Sequence, residues 1–102
     1  MKKLMYAIAF DFDTKKLEKQ FGPSYTNKYK EIETFFNEHH FHWKQGSLYY
    51  GDLDRSKVDM PKTFAMLTKL SRTFPWFKDC VRDVRILTIQ DDDNLIDYLK
   101  NA

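Results

Sequence analysis

Between Leu4 and Asp11 bulky side chains (Leu4, Tyr6, Ile8, Phe10) alternate with small ones (Ala7, Ala9), until an acid, Asp11, ends the run. A period of two is the mark of a β-strand, whose successive side chains point to opposite faces of a sheet. The bulky set is expected under helices in the core. The alanine set would leave a flat strip that another surface can approach closely. Asp11 then falls at the carboxyl end of the strand. Aspartate is a poor strand residue, so it serves there either as the turn that ends the strand or as a metal ligand or general base.

The rest of the 102-residue chain has to be built around that strand, and the full length suits one domain, residues 1–102, with one modest core. Aromatic residues make up 17% of the chain, far more than a disordered segment carries. A net charge of +2 gives no electrostatic footprint of a nucleic-acid binder, so such binding would have to rest on local clustering. The single cysteine, Cys80, excludes an internal disulfide framework and reads as a small buried hydrophobe. No run approaches the roughly 18 apolar residues of a membrane span. The basic Met1-Lys2-Lys3 is not followed by a small-residue cleavage site, which argues against a signal peptide. A cytoplasmic protein with no membrane partner is expected.

After Asp11, the segment Phe12–Gln20 shows no sustained period and reads as a polar connection closed by Phe21-Gly22-Pro23. Pro23-Ser24 opens a helix with Tyr25, Tyr29, Ile32 and Phe36 at helical spacing, ending near Glu38 or His39. His40 stands where a glycine would terminate it, which predicts a left-handed backbone there. Phe41–Gln45 alternates again, with Phe41 and Trp43 assigned to one face and Trp43 to the core. Gly46-Ser47 is a hairpin turn, and Leu48-Tyr49-Tyr50 is the return strand. Asp59 caps a second helix with Pro61 in its first turn and an apolar stripe of Met60, Phe64, Leu67, Leu70 and Phe74, stopped by Pro75. Trp76 and Phe77 cover the core. Val81–Gln90 is the last strand, and Asp91-Asp92-Asp93 opens a final helix that buries Leu95, Ile96 and Leu99.

This order predicts an α+β, ferredoxin-like βαββαβ plan: a four-stranded antiparallel sheet with two helices on one face, plus a C-terminal helix. Strand 1 then lies between strands 3 and 4, antiparallel to both. Asp11, the Gln45-Gly46-Ser47 turn and Arg82-Asp83-Arg85 should converge at one sheet edge.

Met5–Asp11, Trp43–Tyr49, Trp76-Phe77 and Val81–Arg85, taken in order, resemble the virulence-associated protein D family. That family is similar in fold to the small ferredoxin-like subunit of CRISPR adaptation systems. The resemblance implies a dimeric, toxin-like endoribonuclease, with RNA as substrate and an antitoxin protein as a further partner. It places Asp11 at the active site and the Gln45–Ser47 turn beside it. His40 departs from the family pattern, where glycine is usual.

The roles follow from residue chemistry. Asp11 and Ser47 are the catalytic candidates, Ser47 hydrogen-bonding a phosphate oxygen or a metal-bound water. Paired Asp11 carboxylates from two subunits, brought together across the Ala7/Ala9 strip, would hold a divalent cation, magnesium or manganese. Gln45, Gly46, Arg82 and Arg85 are assigned to substrate, the arginines as a bidentate phosphate clamp or as strand-end ion pairs. Tyr49, with Tyr50 and Trp43, would stack on unpaired bases. His39, His40 and His42 lack convergent metal-ligand spacing. The competing class is a non-catalytic dimer that binds nucleic acid or bridges proteins, with Asp11 merely structural.

Overall fold

The computed structural model describes residues 4–90, 92 and 95–102. Strand β1 (Met5–Phe12) is the axis of a four-stranded antiparallel sheet in which it is flanked by β3 (Leu48–Gly51) and β4 (Val81–Ile89). The hairpin partner of β3, β2 (Phe41–Gln45), forms the outer edge. The architecture is the expected α+β ferredoxin-like one, and it fixes which residues share a face. Ile8 faces Tyr49 and Ile86 in register, and Ala7 faces Tyr50 and Leu87.

Ile8, Phe10 and Phe12 form the core face of β1, each less than a tenth exposed. Phe10 holds the centre: its ring stacks near Tyr49 and Phe36, at 5.9 and 6.1 Å, and meets Phe77 edge-on at 5.7 Å. Such offset and edge-to-face arrangements add to the large area that aromatic rings remove from water.

A short helix, α1 (Thr14–Phe21), occupies the segment read as a polar connection. It buries only Leu17, too little to display a period, but its start is marked. The Asp13 carboxylate accepts from the Lys16 backbone N–H at 3.2 Å. The stretch expected to begin the next helix is a 3-10 turn, Gly22–Thr26, and α2 runs Asn27–Glu38 with Ile32, Phe35 and Phe36 buried. His40 adopts φ +68°, the left-handed stop anticipated from its position.

Helix α3 (Met60–Thr73) is capped by Asp59, which accepts from the Lys62 backbone N–H at 2.7 Å. Its buried face is Thr63, Met66 and Leu70, rotated from the expected stripe, so Phe64 is 58% exposed. Thr63 can lie inside because its hydroxyl donates to the Asp59 carbonyl at 2.8 Å. A turn of helix, α4 (Pro75–Cys80), sets Trp76 and Phe77 into the core.

Two further expectations are corrected. The last helix, α5 (Ile96–Asn101), buries nothing: Leu95, Ile96, Tyr98 and Leu99 are each at least half exposed. Of the acids expected to open it, Asp91 and Asp93 lie outside the described residues, as does the basic Met1–Lys3. The second correction concerns the alanine strip. Ala7 is fully buried and Ala9 half-buried, since alanine is too short to stand above flanking residues such as Tyr50 and Leu87. The apolar surface on that side comes from the flanking chains, among them Leu87 and half-buried Leu48. Among the described residues, no helix is long and apolar enough to cross a membrane.

Candidate functional site

Strand polarity brings the end of β1 beside the β2–β3 turn and the start of β4. The Phe10 N–H donates to the Ser47 carbonyl at 3.2 Å, which seats the Gln45-Gly46-Ser47 turn next to Asp11. Gly46 takes φ +51°, a conformation glycine supplies without strain. On the other flank Asp11 faces Asp83 in register, and the pairing slips by a residue between Asp11 and Phe12. Beside this irregularity, an Arg82 guanidinium nitrogen donates to an Asp11 carboxylate oxygen at 3.0 Å. Arg85 pairs with Asp83 at 2.7 Å. The convergence of Asp11, the turn and the two arginines at one end of the sheet is therefore present.

The arrangement is open and charge-balanced. Asp11 and both arginines are exposed, Gln45 is exposed, and Ser47 is half-buried. Each arginine uses one nitrogen on its carboxylate and keeps further donors. Asp11 and Asp83 are each engaged by a guanidinium, and among the described residues no group of three or more His, Cys, Asp or Glu could hold a metal ion.

The aromatics are redistributed. Tyr49, expected to stack on bases, is 4% exposed and packed against Phe36 and Phe10. Burial, with the nearby Glu33 carboxylate, pushes its phenol up to about 12. Trp43, expected in the core, is 56% exposed, and its indole N–H donates to the Gly46 carbonyl at 2.8 Å. This bond ties the ring to the turn that borders Asp11. Tyr50 is half-buried under Lys44, whose ammonium lies 5.6 Å from the ring centre.

The histidines belong elsewhere. The His39 Nδ1–H donates to the Phe35 carbonyl at 2.8 Å, and His42 lies 3.1 Å from Asp52. His40 reaches the same carboxylate only at 3.8 Å. Phe41 pairs with Gly51, so this cluster sits at the end of the hairpin remote from its turn. Cys80 is 1% exposed, and burial together with Asp79 raises its thiol pKa.

The fold and this edge define a small ferredoxin-like protein with a charge-paired polar site where its first strand ends. No family model matches the chain. Curated relatives do. It is 41% identical over 93 residues to "Endoribonuclease VapD 2" of Riemerella anatipestifer, covering 90% of this chain and 96% of that protein. It is 36% identical over 96 residues to "Endoribonuclease VapD homolog" of Helicobacter pylori, covering 94% and 97%. With "Endoribonuclease VapD" of Dichelobacter nodosus the identity is 34% over 98 residues, covering 96% and 100%. The chain belongs to the VapD family.

Proposed function

We propose that this protein is an endoribonuclease that works in the cytoplasm as a homodimer, with Asp11 of each subunit at its active site. The observation that carries the reading is family membership at 41% identity over nearly the whole length of a relative named as an endoribonuclease. The geometry supplies roles for this chain's own residues. Asp11, exposed at a strand end, accepts the proton of the attacking hydroxyl as that oxygen bonds phosphorus and the leaving oxygen departs. Arg82 holds Asp11 with one nitrogen, and its remaining donors, with those of Arg85, meet the charge on the phosphate. Ser47 and Gln45 belong to the turn beside Asp11, and Gly46 supplies the positive φ that the turn needs. The exposed Trp43 offers a face for an unpaired base.

A divalent cation, magnesium or manganese, enters this reading through a dimer that supplies Asp11 twice, since among the described residues of one chain no group of three or more His, Cys, Asp or Glu could hold a metal ion. Chelator inhibition of the wild-type dimer is the measurement that brings it in. A toxin-like role with a neutralising antitoxin protein is the physiological side of the proposal. Growth arrest on expression that depends on Asp11 is its readout.

The competing, non-catalytic reading is favoured by one observation, the Arg82–Asp11 pair, which gives the aspartate a structural partner. Asp11→Asn separates the two. It keeps the shape and a hydrogen-bond acceptor for Arg82 but removes the charge that takes a proton. Purified wild-type protein should cleave RNA, and a folded Asp11→Asn protein should cleave orders of magnitude more slowly while still binding RNA. Undiminished cleavage by the folded variant would return Asp11 to a structural role.

A further inference from the structure

At the end of β2 remote from the hairpin turn, α2 and α3 leave a cleft over the sheet edge of about 300 Å³. Its floor is core: Phe41, Val58 and Met66 are each at most 4% exposed. Its rim is cationic. Lys57, Lys62 and Lys69 line it against one carboxylate, Glu38. Lys62 is held by Asp59 at 3.1 Å, whereas among the described residues Lys57 and Lys69 have no acidic partner. His39 also borders the cleft, fixed by its bond to Phe35 and by stacking on that ring at 4.3 Å.

We infer that this cleft is a binding site for a small anion with an apolar body, such as one or two fused rings bearing a carboxylate, sulfonate or phosphate. Protein interiors are close-packed, so an open hollow floored by core side chains forgoes contacts that a ligand body would restore. The volume is at the low end of small-molecule sites and too small for a nucleic-acid duplex or a folded partner. The two unpaired ammonium groups at the rim supply the complementary charge, where a charge-assisted bond is stronger than a neutral one. Because the cleft lies at the opposite end of the hairpin from the turn beside Asp11, the inference does not rest on the endoribonuclease reading.

The test uses anilinonaphthalene sulfonate, an anionic fluorescent ring system, and N-phenylnaphthylamine, which has the same rings without the sulfonate. The sulfonate should bind the native full-length protein at one saturable site, about tenfold more tightly than the neutral compound. Replacing both free lysines (Lys57→Met with Lys69→Met) keeps the aliphatic stems, so it should remove that tenfold preference and leave the neutral compound's affinity unchanged. Ala65→Trp, at the lining of the cleft and exposed to solvent, should block both while preserving the circular dichroism and melting temperature. Sulfonate affinity indifferent to the lysines would overturn the assignment. So would binding lost only with Leu87→Arg on the open sheet face, or no saturable binding at all.

Discussion

Arg82 reaches across from the start of β4 to place a guanidinium nitrogen 3.0 Å from the Asp11 carboxylate. The two residues are 71 positions apart, and the pairing irregularity between Asp11 and Phe12 lies beside the contact. At 62% and 61% exposure of the two side chains, the pair contributes less than about 1 kcal/mol to folding. What the contact fixes is the position of an exposed guanidinium beside an exposed carboxylate.

Arg82→Gln should therefore leave the melting temperature near the parent's while raising KM for RNA by about tenfold. Arg82→Lys keeps the charge but not the planar fork, and should recover only part of the loss. A parent-like KM in Arg82→Gln would confine the pair to a structural role.

Trp43 allows a second test of the proposed substrate path. Trp76 is 9% exposed, so quenching of tryptophan fluorescence by single-stranded RNA should report Trp43, which is 56% exposed. Stacking contributes about 1–3 kcal/mol per base, so Trp43→Ala should raise KM by about tenfold or more with kcat little changed. Trp43→Phe should recover much of the binding. Equal KM values for the alanine variant and the parent would remove Trp43 from the substrate path.

Assembly is tested on the sheet face that carries Ala9 and Leu87. Leu87 is 37% exposed beside half-buried Ala9 and Leu48, an apolar surface suited to a two-fold related copy. Wild-type protein should sediment as a dimer at micromolar concentration, and Leu87→Arg as a monomer. A monomeric wild type would discard the dimer and, with it, the doubled Asp11.

Tyr49 is expected to contribute to the alkaline limit of the fold. Its phenol is raised from 10.0 to about 12 by burial first and Glu33 second, so on raising the pH the unfolded chain ionises before the folded one. Stability tied to the neutral phenol is complete below about pH 10 and is lost as the pH climbs toward 12. Denaturant melts across that window should show the parent weakening and Tyr49→Phe weakening less. Coincident alkaline profiles would mean that Tyr49 ionises freely in the native state.

The sequence by itself determined the elements whose signals are local. The alternation in β1, the Gly46-Ser47 turn, the Asp59 cap with Pro61 and the left-handed stop at His40 each depend on a few neighbouring residues. Their order sufficed for the sheet topology and for bringing Asp11, the turn and Arg82 to one edge. Only the tertiary structure decided which aromatics are available. Adjacent strand residues point to opposite faces, so Tyr49 and Tyr50 cannot both serve an open surface; pairing with Ile8 sends Tyr49 inward. Trp43 shares the face of Tyr49, yet the core that buries Phe41 does not extend over it. Helix α1 was hidden because one buried residue, Leu17, makes no period, and the apolar residues of α5 do not reveal that they stay at least half exposed. Local chemistry specifies an element's type, whereas burial depends on how far its neighbours reach, and that is settled only when the layers assemble.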